Sequence, residues 1–333
     1  MHRIDSIDQK IRQRLSEAHS VAIVSHIRPD GDAVGSLLGL GQALIKAGKQ
    51  VQMVLQDGLP EKYQNLAYSE RVKRSLEPDF DTLIIVDSSD IERTGSLLHG
   101  HSKPDICIDH HKTNLHFTHI NLVEPDSVAT AAILAQHLPA WGFEIDQDIA
   151  SSLLTGIIAD TIGFRTSNIN AEAMRLAADL IDKGADLARL YGQVLVNRSL
   201  VEMCYWGAGL EKIVHQDGIV YTTLTLHDRI SVGYSENDDA DLINVLSAIK
   251  EAKIALIFVE QEYNRVKVSW RANSGIDVSE VAFAFGGGGH AAAAGADIKG
   301  DLTSVKELVI KATRKLLDDH LTSKNNSINS QKG

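Results

Sequence analysis

Cysteine is nearly absent from this chain: among 333 residues there are two, Cys107 and Cys204, far apart in the sequence. Two thiols cannot build the disulfide framework of a small secreted fold, so both read as buried free thiols without redox chemistry. Long apolar runs are missing as well, none approaching the roughly 20 residues that a membrane-spanning helix needs. The N-terminal stretch MHRIDSIDQKIRQRLSEA follows a polar amphipathic helix pattern. It lacks the apolar segment of a secretory signal, which leads to the expectation of a cytoplasmic protein with no membrane partner. Net positive charge is also lacking, the formal balance being -11. So acidic a chain suits long duplex nucleic acid poorly, because that affinity rests on neutralising phosphates over a broad basic surface. Small phosphorylated substrates stay open, since a metal centre and a few arginines reverse the potential inside one cleft. Internal repeats are absent too.

What is present describes a soluble globular protein, 44% hydrophobic and 23% charged, long enough for two ordinary domains. From residue 20, short β-branched runs alternate with longer helical patterns. VAIVSH, QVQMVL, TLIIVD and DICIDH read as buried strands. AVGSLLGLGQALIKAG, SVATAAILAQHL, DIASSLLTGIIADT and NAEAMRLAADLIDKG read as helices. This alternation predicts an α/β fold with a mainly parallel sheet flanked by helices over residues 1–185. A helical connection is expected over 186–214. Residues 215–322 read as a smaller α/β domain with a mixed sheet, including a hairpin in ALIFVEQEYNRVKVSW that turns at Tyr263–Asn264. The polar segment 323–333 is expected to be a disordered tail.

Acidic and imidazole side chains gather at the ends of the predicted strands. HIRPDGDAVGS supplies His26, Asp30 and Asp32 in a tight turn between a strand and a helix. Asp-Gly is also an ordinary turn, and Asp32 could simply cap the helix that follows. Asp87 closes TLIIVD, and Asp109, His110 and His111 close DICIDH. Such residues can also be exposed polar turns. Asp160 sits in the apolar stretch LLTGIIADTIGF, where an unpaired charge is penalised and a cation or a helix cap would relieve it. Taken together, strand ends of one parallel sheet can converge at its carboxyl edge. Oxygen-rich donor sets with imidazole suit Mn2+ or Mg2+, imidazole favouring manganese. His26, Asp30, Asp32, Asp87, His110 and Asp160 exceed what one ion takes from protein, so two ions sharing a carboxylate is the natural reading. That arrangement suits in-line displacement at phosphorus.

HIRPDGDAVGS, IIVDSSD, IDHH and GIIADTIGF resemble, in order, the four motifs of the DHH phosphoesterases. SWRANSG…VAFAFGGGGHAAAAGA is similar to the glycine-rich domain that accompanies them in one branch. Length and domain pairing resemble the group of bifunctional oligoribonucleases and 3′-phosphoadenosine-5′-phosphate (pAp) phosphatases. The resemblance implies one metal on His26, Asp30 and Asp87, and a second on Asp32, Asp87, His110 and Asp160, with Asp87 as the bridge. It further implies that Asp109 orients its neighbours and that His111 faces the scissile phosphate. Short RNA oligonucleotides or pAp would be the substrates, with a homodimer compatible.

Gly286, Gly287, Gly288 and Gly289 permit close backbone approach and make an anion or base-edge site. His290 and Arg271 are the charged partners for a phosphate, arginine being able to bind it bidentately. Ala272 departs from the family pattern, in which a serine commonly follows the arginine. Other readings are a phosphodiesterase for cyclic or linear dinucleotides and a nucleotide- or RNA-binding module with an inactive metal centre.

Overall fold

The structure is a computed structural model and describes residues 6–272 and 275–330. The chain divides into two compact units, Met1–Asn197 and Arg198–Gly333. The first contains α1 (Ser6–Glu17), β1 (Ser20–Val24), α2 (Gly31–Lys46), β2 (Gln50–Val54), β3 (Val72–Lys73) and β4 (Thr82–Val86). It continues with β5 (Ile106–Asp109), β6 (Ile120–Val123), α3 (Thr130–Trp141), α4 (Gln147–Asp160), α5 (Ala171–Asp182) and α6 (Leu187–Tyr191). Its sheet has the order β3-β2-β1-β4-β5-β6, and every neighbouring pair is parallel. The chain builds outward from β1 through β2 and β3, then crosses back to β4 and builds the other way. Ligands of doubly wound sheets bind where that reversal opens a crevice beyond the strand ends, here between β1 and β4.

Parallel strands covered on both faces need apolar side chains on both, which is why VAIV and LIIV are uninterrupted. Val21, Ile23, Ile84 and Val86 join the main core with α2, α3 and α4. Ala22, Val24, Leu83 and Ile85 line a smaller cluster on the opposite face. α2 and α4 approach backbone to backbone. A Cβ on Gly35 would lie 2.5 Å from the Ser152 carbonyl oxygen, and one on Gly156 would lie 2.5 Å from Ala131 Cβ and 2.8 Å from Asp32 Oδ1. β3 and β6 are short edge strands that the hydrophobic pattern does not announce.

The second unit holds α7 (Leu200–Leu210), β7 (Val214–Gln216), β8 (Ile219–Leu224), α8 (Leu226–Val232), α9 (Leu242–Leu246) and β9 (Ile254–Gln261). Then come β10 (Arg265–Ala272), α10 (Ser279–Ala284), β11 (Gly288–His290), β12 (Ala293–Lys299) and α11 (Leu302–Ser330). Its sheet, β11-β12-β10-β9-β8-β7, is mixed, with β8 and β9 parallel and the other pairs antiparallel. The β9–β10 hairpin turns where the sequence indicates, with Tyr263 and Asn264 at φ of 59° and 56°. Val266, Val268 and Trp270 bury one face of β10 against α11, and Trp270 Nε1 donates to Thr313 Oγ1 at 3.0 Å.

Four local expectations are corrected. The stretch expected as a disordered tail from residue 323 is helical to Ser330, because α11 meets neither glycine nor proline and each added residue adds a hydrogen bond. Residues 331–333 lie outside the described residues. NDDADLINVLSAIK, whose pattern predicts one continuous helix, yields only the short α9. Asp238 Oδ1 accepts from Ala240 N and Asp239 Oδ1 from Asp241 N, turns that compete with helix formation. GGGGH, whose glycines read as a loop, is strand over Gly288–His290. Cys204 is exposed, whereas Cys107 is buried as expected. The stretch read as a helical connection is shared between the units, α6 on one side of Asn197 and α7 on the other.

Candidate metal centre

The carboxyl edge of the parallel sheet gathers the side chains singled out in the sequence. His26 follows β1, Asp87 follows β4, Asp109 ends β5 and His110 comes next. Asp30 and Asp32 sit at the start of α2, and Asp160 ends α4. His26, Asp32, Asp87, Asp109 and His110 are buried, Asp30 is exposed and Asp160 is partly open. His26 Nε2 lies 3.5 Å from Asp87 Oδ2 and 3.9 Å from Asp30 Oδ1. His110 Nε2 faces Asp160 Oδ2 at 3.7 Å, Asp87 Oδ1 at 3.8 Å and Asp32 Oδ2 at 3.9 Å. Donor atoms sharing one ion at about 2.1 Å each stand roughly 3–4 Å apart, so this spacing fits a cation. His26, Asp30 and Asp87 form one donor set, Asp32, Asp87 and His110 another, each with its donor atoms within 4.8 Å of one another. The clusters are able to hold metal.

The imidazoles are turned for that task. His26 Nδ1 donates to the Ile27 carbonyl at 2.8 Å, and His110 Nδ1 to the Ser127 carbonyl at 3.3 Å. Both bonds turn Nε2 toward the carboxylates. The capping alternative is realised in an unexpected way and does not compete. Asp30 Oδ1, not Asp32, caps α2 by accepting from Asp32 N and Ala33 N. Asp32 instead crosses to α3, where its oxygens accept from Thr130 N at 2.6 Å and Ala131 N at 2.9 Å. A carboxylate oxygen that accepts one N–H retains a lone pair. Asp87 takes a φ of 55° and accepts from Thr130 Oγ1 at 3.0 Å, a left-handed conformation of the sort that gathers at functional sites.

Electrostatics point the same way. Burial and repulsion from Asp87, Asp160 and Asp30 lift Asp32 well above the usual carboxylate range. Burial alone would also raise Asp87, but the hydrogen bond from His26 and the charges of His111, His26 and His110 overcome it and hold Asp87 well below that range. Asp160 is raised to about 6 by burial, with Asp30 and Asp87 adding to it and His110 opposing. It also ends a helix, where the backbone dipole disfavours negative charge. The carboxylates therefore crowd one another in the absence of a cation, and a divalent ion relieves that crowding.

His111 stands beside these side chains, its Nδ1 3.8 Å from Asp87 Oδ1, and with Asp87 and Asp109 it forms a further group within 4.8 Å. Its Nδ1 lies 2.7 Å from Asp109 Oδ1, and Asp109 Oδ2 accepts from Asn114 Nδ2 at 2.6 Å. Arg93 Nη1 stands 3.4 Å from His111 Nε2. Thr130, Asn114 and Arg93 carry no motif signal, and sequence reasoning missed them. Gly35 had a faint one, the spacing of small residues Gly31, Gly35 and Gly39 along α2.

In the second unit, register places Arg271 and His290 both opposite Ala293, one from β10 and one from β11. They share a row across the sheet. Gly286 N and Gly287 N donate to carbonyls of Phe283 and Ala282, so those two groups are already engaged at the end of α10. The glycines of β11 allow flat stacking: a Cβ on Gly289 would lie 2.4 Å from the Ala293 carbonyl oxygen. Arg271 Nη1 donates to the Trp270 carbonyl at 3.0 Å.

The DHH family, N-terminal domain model matches residues 20–157, and the DHHA1 domain model matches residues 218–319. A Thermus thermophilus protein described as the bifunctional oligoribonuclease and PAP phosphatase NrnA is 34% identical over 304 residues, covering 89% of this chain and 90% of that one. A Mycoplasma genitalium protein of the same description is 28% identical over 312 residues, with coverage of 91% and 96%. The crystal structure of an exopolyphosphatase-related protein from Bacteroides fragilis shares the fold, with a TM-score of 0.83 at 23% identity over 95% of this chain and 96% of that one. The chain belongs to the DHH phosphoesterase family, in the group that joins a DHH domain to a DHHA1 domain and includes the bifunctional oligoribonucleases and PAP phosphatases.

Proposed function

We propose that this chain hydrolyses phosphoester bonds in short RNA oligonucleotides and in pAp, in the cytoplasm, with two divalent ions, manganese in preference to magnesium. The observation that carries the reading is the pair of donor sets that overlap at Asp87. His26, Asp30 and Asp87 hold one ion, and Asp32, Asp87, His110 and Asp160 hold the other. When bound, the ions supply Lewis-acid charge for water activation and in-line displacement at phosphorus. The chain's own residues do the rest. His111, fixed by Asp109, donates toward the scissile phosphate and offsets developing charge. Arg271 and His290 bind the far phosphate or terminal nucleotide, beside Gly288 and Gly289. The activities for which the relatives are named support this substrate class.

Turnover of pAp and of a labelled RNA dinucleotide, with and without Mn2+, tests the reading. Both substrates should be cleaved only with metal. Cleavage of pyrophosphate with neither of these touched would overturn it. Arg271→Ala should raise KM about 10- to 100-fold with kcat little changed, the worth of one charged hydrogen-bonding partner. A fall confined to kcat would remove Arg271 from substrate binding. Saturating chelator-stripped protein with Mn2+ should stabilise it by about 3 kcal/mol or more, raising Tm by roughly 5–10 °C. An unchanged melting curve would count against ion binding at this edge.

A further inference from the structure

One cationic side chain at the sheet edge has no place in the ligand set. Arg93 lies in the turn after Asp87, and three contacts fix it. Its carbonyl accepts from Ile27 N at 2.7 Å, the residue after His26. Its own N donates to Asp90 Oδ1 at 2.9 Å. Its Nη1 lies 3.4 Å from His111 Nε2. The guanidinium is thereby held between the first and third motifs by a loop of the second. It is half-buried, and its charge reaches His26.

What Arg93 does not do is equally informative. Asp30, Asp87 and Asp109 crowd the same edge, yet among the described residues Arg93 forms no ion pair with a carboxylate. A guanidinium carries five N–H donors in a planar fork, and none of them is spent on a carboxylate among the described residues. Holding a fixed positive group beside an imidazole cluster gains little inside the protein. It gains much when an anion with several acceptor oxygens arrives, and phosphate matches the fork bidentately.

We propose that Arg93 is a catalytic residue: with His111 it forms a paired donor that binds non-bridging oxygens of the scissile phosphate and stabilises the charge that builds there. This rests on the phosphoesterase reading above. In the reaction, water forms the new bond to phosphorus, the bond to the leaving oxygen breaks, and a proton from water ends on that oxygen. Arg93 exchanges no proton and contributes hydrogen bonds and charge alone.

The test uses the full chain saturated with Mn2+, comparing wild type with Arg93→Ala and Arg93→Lys on pAp and an RNA dinucleotide. The alanine variant should lose about 10²- to 10³-fold in kcat, the effect of removing one transition-state donor. Its melting temperature should stay within a few degrees of wild type. Free guanidinium should restore part of its activity, and the lysine variant should fall between the two. Independently of turnover, calorimetric titration with inorganic phosphate should show binding weakened about tenfold or more in Arg93→Ala. Wild-type rates in the alanine variant, or unchanged phosphate affinity with no guanidinium rescue, would overturn the assignment while leaving the phosphoesterase reading intact. A wild-type protein that cleaves neither substrate would overturn both.

Discussion

Asp87→Asn should lower kcat/KM for pAp and for an RNA dinucleotide by at least about 10³-fold, beyond the loss of any single hydrogen-bonding donor. Asparagine preserves the size of the side chain and its hydrogen bond from Thr130 Oγ1, so the fold is not the cause. The charge is. Asp87 faces His26 with one oxygen and His110 with the other, and it is the residue common to the two ligand sets. A neutral amide cannot balance two dications. The same variant should lose the Mn2+-induced rise in Tm, and elemental analysis should find less than one ion per chain. Without metal its stability should fall below wild type, because the contacts with His26, His110 and His111 that hold Asp87 ionised weaken. Substantial turnover with metal still bound would refute the bridging role.

Gly156→Ala should cost about 3 kcal/mol of stability, an overpacking penalty at the upper end of the usual range. The added methyl would stand 2.5 Å from Ala131 Cβ and 2.8 Å from Asp32 Oδ1, and neither neighbour is the free end of a flexible chain. Ala131 begins α3 and its N–H holds Asp32. Pushing it back moves Asp32, a proposed metal donor, so Mn2+ affinity should fall about 10- to 100-fold alongside Tm, as when a ligand's supporting contact is lost. Gly207→Ala is the control. That glycine lies within α7 with nothing within 4 Å of the added carbon, and alanine should stabilise the helix by up to about 1 kcal/mol. Equal effects at the two positions, read from denaturant titrations, would show that propensity rather than the α2–α4 approach governs Gly156.

Much of the site was legible in the sequence because ligand chemistry is local. His26, Asp30 and Asp32 share one turn, Asp87 and Asp109–His110–His111 end apolar runs, and β-branched runs between helices already imply a parallel sheet with its strand ends on one edge. Hydrophobic period and residue type carry that information without contacts. Three-dimensional structure decided what depends on a partner far along the chain. Which aspartate caps which helix could not be read, since Asp32 reaches α3 almost a hundred residues away while Asp30 takes the nearby cap. Arg93 looks like any loop arginine until the Ile27 and His111 contacts place it. Gly156 looks like a helix weakness until α2 lies against it. The row joining Arg271 to His290 exists only through strand register at Ala293. Composition and spacing select the chemistry that a segment can perform, and long-range packing selects which atoms face one another when it is performed.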